Sequence, residues 1–290
     1  VTVTGHNNAT ISKTNDEYRV SVNANEVVFA NITFEDTMRN TGNPGSLTFT
    51  NCTFKADLRM PHNRENATLK VENCTFTGEV ASDYAIFVQG PKEGTMSNVV
   101  LSGNTISGYQ RGVNVQAGTS ATVSITGNTI TNLTGKTGNG GTYGSAIQLT
   151  SGQTFNVTGN TIDTGIVNAF HFYTGLDANV TINNNKIKAP YLLWNEANLP
   201  QDNITSSGNV LDIDNPGQAK TKTAVIPTET VINGTTAPGT ITIIVPSTEE
   251  TKPAEDQKNP STGANDLVGL AVAAAVAAAL GSAALLRKHD

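Results

Sequence analysis

The chain has 290 residues, of which only 14% are charged, and its formal net charge is −6. This acidic balance excludes the basic surface that nucleic-acid binding requires, so we expect no nucleic-acid partner. Gly contributes 27 residues, Asn and Thr are abundant, and Ala concentrates near the C-terminus. Because Val, Ile and Thr favour strands while Asn and Gly favour tight turns, the composition predicts an all-β body rather than a helical one.

The body of the chain repeats one short motif. Its template reads apolar, polar, Asn or Gly, small polar or Cys, Thr, apolar, and clear copies are Phe49–Phe54, Val71–Phe76, Ile125–Ile130 and Val157–Ile162. The spacing between fourth template positions varies from 20 residues, between Ile32 and Cys52, to 32 residues, between Asn128 and Asn160. A fixed motif with elastic intervals indicates one coil of a solenoid per repeat, with the extra residues placed in loops.

A second kind of strand lies between the motifs. Residues 85–89, 112–116, 146–150 and 169–173 alternate apolar and polar side chains, which indicates strands with one buried and one solvated face. Two or three short strands per coil over residues 1–213 resemble the right-handed single-stranded parallel β-helix of the pectate-lyase-like superfamily. The resemblance implies an all-β solenoid, and a β-sandwich of antiparallel hairpins is the alternative. Since Val1 starts inside a strand pattern, we expect further coils or a cap upstream of it.

The fourth template position is Asn in the five C-terminal coils. These residues would stack at one corner, where their amides can bond to each other and to turn backbone, so we predict a structural ladder. Its members are Asn104, Asn128, Asn160, Asn185 and Asn209. Cys52 and Cys74 hold the same position in two earlier coils, and we expect buried free thiols because parallel side-chain vectors fit a disulfide torsion poorly.

The outward positions of the alternating strands form two rows. The first row contains Phe87, Asn114, Gln148 and His171, and the second contains Gln89, Gln116, Thr150 and Tyr173. Neither row holds the clustered acids of a Ca²⁺-dependent lyase or the paired carboxylates of a glycoside hydrolase. The sequence therefore predicts no catalytic residue, no metal site and no cofactor.

The same rows suit the recognition of neutral sugars. Side-chain amides hydrogen-bond hydroxyl groups, and aromatic rings such as Tyr173 and Trp194 can stack on sugar faces. The predicted glycan-binding face consists of Asn114, Gln116, Gln148, His171, Tyr173 and Trp194. The Gly-rich segment 136–144 is either a binding loop beside this face or a tolerated insertion.

Two C-terminal segments follow the predicted solenoid. Residues 214–258 are rich in Pro, Thr, Lys and Glu and predict an extended spacer, in which Thr230–Ile232 and Thr240–Val245 could form short capping strands. Residues 259–290 combine a motif at 259–263, an uncharged apolar stretch at 267–286 and a basic tail at 287–290. The apolar stretch is long enough to cross a bilayer as one transmembrane helix, and Arg287 and Lys288 would keep the tail cytoplasmic.

This three-part order resembles the cell-wall sorting signal of sortase substrates in Gram-positive bacteria. The motif residues are Asn259, Pro260, Ser261, Thr262 and Gly263, with Asn where the commonest form has Leu. The resemblance implies that the chain inserts in the membrane before processing and that a sortase then cuts between Thr262 and Gly263. The Thr262 carboxyl would pass through a thioester to an amine of the peptidoglycan precursor. An ordinary tail anchor is the alternative.

These features favour a secreted protein attached covalently to the Gram-positive cell wall, displaying a β-helix for adhesion or glycan binding. Its partners would be the sortase, the peptidoglycan precursor and a polysaccharide of host or environmental origin. One alternative is a surface polysaccharide lyase or glycoside hydrolase whose site lies in missing or unrecognised coils. The other is a passive structural stalk.

Overall fold

The computed structural model describes residues 1–6, 9–12, 22, 24–40, 42–60, 65–79, 83–90, 95–138, 141–219, 223–225, 238–239 and 242–244. The chain divides into the compact units Val1–Pro246 and Ser247–Asp290, and every described residue belongs to the first. The sorting motif, the apolar span, the basic tail and Thr230–Ile232 therefore lie outside the described residues. Within the described ranges, no helix has the length and apolar character needed to cross a membrane.

One strand from each coil stacks into a nine-stranded parallel sheet, which we call the first face. Period-2 alternation turns every second side chain inward, as in Ser46–Thr50, where Leu47 and Phe49 are buried. The strands are β1 Thr2–Thr4, β3 Glu26–Ala30, β6 Ser46–Thr50, β9 Thr68–Glu72, β12 Asn98–Ser102, β15 Thr122–Thr126, β20 Thr154–Thr158, β23 Asn179–Asn183 and β25 Ile204–Ser207.

The second face is a parallel column of very short strands that follow the first face after a tight turn. It consists of β2 Thr10–Ile11, β4 Thr33–Phe34, β7 Thr53–Phe54, β10 Thr75–Phe76, β13 Thr105–Ser107, β16 Thr129–Thr131, β21 Thr161–Asp163 and the start of β24 Lys186–Asn195.

The third face carries the alternating strands identified in the sequence. It consists of β5 Met38–Arg39, β8 Leu58–Met60, β11 Tyr84–Gln89, β14 Arg111–Gln116, β19 Ser145–Ser151, β22 Asn168–Phe172 and the end of β24, against which β26 Asn209–Ala219 pairs. Successive coils are joined in parallel on all three faces, so the predicted parallel β-solenoid, of about eight turns, is confirmed. The antiparallel β-sandwich alternative is wrong.

Elements outside the three faces are few among the described residues. The antiparallel hairpin β17 Lys136–Gly138 and β18 Gly141–Tyr143 protrudes between coils, and a 3₁₀ turn covers Gln201–Asn203. Strand β26 continues past residue 213, where the sequence predicted the end of the β-helix, because β24 offers it a pairing partner up to Asn195. In the predicted spacer, β27 Thr223–Val225 pairs antiparallel with β29 Thr242–Ile244, and β28 Pro238–Gly239 pairs with β26.

The turn from the first to the second face depends on one left-handed residue per coil. The third template position has φ between +51° and +67° in every described coil that contains it. Only Gly and, at modest cost, Asn adopt this region readily, which explains the restriction of that position to these two residues. The residues are Asn31, Asn51, Asn73, Gly103, Gly127, Gly159, Asn184 and Gly208.

The next residue forms the asparagine ladder. The Oδ1 atom of Asn128 accepts hydrogen bonds from both the backbone N–H and the side-chain amide of Asn104, each at 2.9 Å. The Asn128 amide in turn donates to the Leu101 carbonyl and to Asn160 Oδ1, each at 2.9 Å. The same bonds recur through Asn185 and Asn209, so buried backbone groups at this corner obtain partners without water.

In the N-terminal coils, Cys52 and Cys74 replace Asn at the ladder position, and phenylalanines fill the last template position. Phe54 stacks between Phe34 and Phe76, with ring centroids 4.8 and 4.6 Å apart, and isoleucines continue this column in later coils. Cys52 and Cys74 are buried and unbonded to each other, as the sequence predicted. The Cys52 thiol lies 3.5 Å from the Phe29 carbonyl. Phe29 occupies the same position in its coil as Leu101, whose carbonyl accepts a hydrogen bond from Asn128.

Replacing Asn128 by Ala should destabilise the β-helix by about 3 kcal/mol, because the Asn104 N–H and the Leu101 carbonyl would remain buried without partners. We expect the urea midpoint of residues 1–246 to fall accordingly. The control Asn179→Ala removes an exposed asparagine from the first face and should change stability by less than about 0.5 kcal/mol. Equal midpoints for the two variants would contradict a stabilising role for the ladder.

Candidate functional site

The outward side chains of the third face form a row in strict register. Phe87, Asn114, Gln148, His171 and Trp194 are successive parallel partners across β11, β14, β19, β22 and β24. The inward neighbours in these strands are apolar and buried, so the alternation fixes which side chains point away from the core. Asn114 and Gln148 point outward but are almost fully covered by their neighbours, at 7% and 5% exposure. The structure thus places the predicted first row as expected and adds Trp194 as its next member.

The predicted second row is wrong at one position. Gln89 pairs with Gln116, but a register shift after Val115 pairs Gln116 with Ser151 instead of Thr150. The bulge turns the Thr150 hydroxyl toward the first row, where it donates to Asn114 Oδ1 at 2.9 Å. Thr150 Oγ1 also lies 3.2 Å from the Gln148 amide nitrogen, which donates to it.

A cleft of about 650 Å³ lies on this face, within the size range of small-molecule sites. All six residues of the predicted glycan-binding face line it, together with six residues that the sequence analysis did not select for that face. The lining residues are Tyr84, Arg111, Asn114, Gln116, Tyr143, Gly144, Gln148, Thr150, Asn168, His171, Tyr173 and Trp194. The five ladder asparagines are buried at the turn between the first and second faces and are not among them.

The hairpin Lys136–Tyr143 borders the cleft, because Tyr143 and the following Gly144 both line it. Tyr143 is half exposed. Gly144 has φ +147°, and a Cβ atom there would lie 2.8 Å from the Arg111 side chain. The Gly-rich segment 136–144, whose sequence fits either a binding loop or an insertion, therefore contributes Tyr143 and Gly144 to the wall of the cleft.

A cluster of three charged side chains supports one side of the cleft. Arg111 forms a two-point ion pair with Asp83, with Nε and Oδ1 separated by 2.6 Å and a second contact between Nη2 and Oδ2. Lys136 from the hairpin lies 3.3 Å from the same Asp83 carboxylate. Although burial opposes ionisation, Arg111 and Lys136 hold the pKa of Asp83 below its usual value.

Tyr84 connects this cluster to the amides of the first row. The Arg111 guanidinium lies 3.8 Å from the centroid of the Tyr84 ring, a cation–π arrangement. The Tyr84 hydroxyl donates to Gln148 Oε1 at 2.6 Å. Burial raises the pKa of Tyr84 to about 12, so the phenol stays protonated and fixes the orientation of the Gln148 amide.

An imidazole–carboxylate pair lies at the opposite end of the row. His171 Nε2 is 2.9 Å from Glu196 Oε2, and the His171 ring makes edge contacts with Tyr173 and Trp194. Burial lowers the pKa of His171 more than Glu196 raises it. Hydrogen bonds from Thr174 and His171 lower the pKa of Glu196 despite its partial burial. Near neutral pH the pair therefore consists of a neutral imidazole and an ionised carboxylate.

The sequence did not predict that Tyr84 and Arg111 line the cleft, or that Arg111 pairs with Asp83. Tyr84 and Arg111 open their strands, outside the alternating segments that indicated the outward rows. Asp83 and Arg111 are 28 residues apart, so their pairing depends on coil register rather than on local pattern.

Among the described residues, no group of three or more His, Cys, Asp or Glu side chains is arranged to hold a metal ion.

A family model described as right-handed β-helix region matches residues 37–211. The chain belongs to this right-handed β-helix family. No curated protein and no solved structure matches the chain. The fold is consistent with a surface or carbohydrate-binding protein.

Replacing Glu196 by Gln should lower the pKa of His171 further, because Glu196 is the group that opposes the effect of burial. Titration of the His171 ring protons by NMR measures the change. The control Glu79→Gln removes a carboxylate that pairs with Lys55 at 3.5 Å and should leave the His171 titration unchanged. A raised His171 pKa in Glu196→Gln would contradict the assigned pairing.

Proposed function

We propose that this protein is a surface protein of the Gram-positive cell wall that binds glycan chains in the cleft on its third face. The observation that carries the binding function is the convergence of aromatic rings and side-chain amides on one cleft of about 650 Å³. Tyr143, Tyr173 and Trp194 offer flat apolar surface for sugar rings. Asn114, Gln148 and their neighbours offer donors and acceptors for hydroxyl groups.

Attachment to the wall is supported by the order of the C-terminal sequence elements. The motif Asn259–Gly263 precedes the uncharged stretch 267–286 and the basic residues Arg287 and Lys288. A membrane-bound sortase would cleave after Thr262, hold its carboxyl as a thioester and transfer it to a peptidoglycan amine. The residues between the β-helix and this motif would then act as a spacer that presents the cleft outside the wall.

A second function is favoured by the His171–Glu196 pair. A neutral imidazole that is oriented by a carboxylate and lines a cleft has the arrangement of a general base. A polysaccharide lyase or glycoside hydrolase would use such a group on a bound chain. The appearance of new chain ends during incubation with polysaccharides would establish this enzyme; retention of the protein without new ends supports the binding protein.

Loss of aromatic surface should weaken glycan binding. We expect Trp194→Ala and Tyr173→Ala to reduce affinity for the retained polysaccharide about tenfold each, roughly 1.4 kcal/mol. Affinity electrophoresis of residues 1–246 in gels containing neutral or acidic polysaccharides measures the effect. Ile11→Ala is the control, because Ile11 is an exposed apolar side chain on the second face and does not line the cleft. If no polysaccharide retains the protein, the passive structural stalk becomes the favoured interpretation.

Thr262→Ala should prevent covalent attachment to the wall. The full chain carrying this change is expected to remain in the membrane fraction and to dissolve in detergent, since the acyl-transfer step requires the Thr262 carboxyl. The control Ser261→Ala changes the variable position of the motif and should still be released only by a muramidase. Wall attachment of Thr262→Ala equal to that of the unchanged chain would contradict sorting by a sortase.

A further inference from the structure

The formal charges around the cleft sum to zero, although Asp83 faces two cations and Glu196 faces a neutral imidazole. Of the described residues that line the cleft, Arg111 is the only one with a permanent charge. Its guanidinium is already engaged at two points by Asp83, and Lys136 lies on the same carboxylate. At the other end, the Glu196 carboxylate faces His171. Two cations, Arg111 and Lys136, are therefore balanced by two anions, Asp83 and Glu196.

This arrangement disfavours an acidic sugar. The Nε and Nη2 edge of Arg111, which would hold a carboxylate at two points, is occupied by Asp83. A ligand carboxylate could take that edge only by breaking a half-buried ion pair, which leaves an uncompensated charge. At the other end of the row it would meet the ionised Glu196 carboxylate. Burial keeps the His171 imidazole neutral near pH 7, so it provides no additional positive charge.

The groups that remain available are neutral. Gln148 has one amide proton beyond its bond to Thr150, and the Asn168 and Gln116 side chains make no hydrogen bond to other side chains in the described part of the chain. Amides of this kind suit hydroxyl and acetamido groups, which both donate and accept hydrogen bonds. The surrounding rings of Tyr143, Tyr173 and Trp194 suit the apolar faces of uncharged pyranoses.

We propose that the cleft selects uncharged sugar units, and that Asp83 and Glu196 are the specificity-determining residues that exclude acidic ones. This inference rests on the proposed glycan-binding function. Each acid acts through a different partner: Asp83 occupies Arg111 and Lys136, whereas Glu196 supplies negative charge beside His171. Removing either charge while keeping the side-chain shape should convert the cleft into one that accepts anionic sugars.

The test compares the full chain with Asp83→Asn and Glu196→Gln. The probes are neutral β-1,4-galactan, arabinoxylan and chitohexaose, and acidic polygalacturonate, alginate and hyaluronate. We expect the unchanged protein to bind a neutral probe and no acidic one. Each variant should gain at least tenfold in affinity for an acidic probe over the unchanged protein. The gain should disappear in 1 M NaCl, where charges are screened beyond about 3 Å.

Asp57→Asn is the matched control, because Asp57 pairs with Arg59 at 2.8 Å on the same face but outside the cleft. It should leave the choice of probe unchanged. Glu196→Gln keeps a side chain that can bond to His171, so it tests the proposal even if Asp83→Asn fails to fold. Preference of the unchanged protein for an acidic probe, or no acidic gain in Glu196→Gln and in any folded Asp83→Asn, would overturn this inference and leave glycan binding intact. No binding to any probe would overturn the proposed function and this inference with it.

Discussion

The whole solenoid depends on satisfying buried backbone groups where each coil turns from the first face to the second. A tight turn exposes N–H and carbonyl groups to the core, and leaving them unpaired would cost about 1–3 kcal/mol each. The left-handed residue makes the turn, and the following asparagine supplies an acceptor to the previous coil and a donor to a core carbonyl. Because each asparagine from Asn104 to Asn185 bonds to the next one in the ladder, these coils are locked in register at this corner.

Because the turn between the first and second faces has a fixed length, differences in coil length occur in the other parts of the coil. The interval of 32 residues between Asn128 and Asn160 accommodates the hairpin Lys136–Tyr143 without disturbing the ladder on either side. That hairpin stands beside the third face, where it supplies Tyr143 to the cleft and Lys136 to Asp83. The regular ladder at the corner and the construction of the cleft are thus two results of the same constraint.

The sequence alone was sufficient to predict the coiled fold and most of the residues that line the cleft, since both follow from the repeated template and the period-2 strands. Those patterns specify position in a coil, and parallel stacking converts equal positions into neighbours, as for Gln148 and His171. They failed where one residue departs from the repeat, as in the bulge that displaces Thr150 from its row. Local pattern also carries no information about ion pairs such as Asp83–Arg111, which depend on the spacing of whole coils.

The cleft is formed by residues from several stacked coils, and no single repeat contains it. Asp83 comes from one coil, Arg111 from the next, Gln148 and His171 from the two after that, and Trp194 and Glu196 from a fifth. No coil alone contains an ion pair of the cleft together with its amide and aromatic surface. A slip of one coil position would separate Asp83 from Arg111 and leave two half-buried charges without their partners, which is costly. The ion pairs of the cleft therefore reinforce the register that the asparagine ladder imposes between the first and second faces, so that the shape of the cleft and the stability of the solenoid depend on the same alignment of coils.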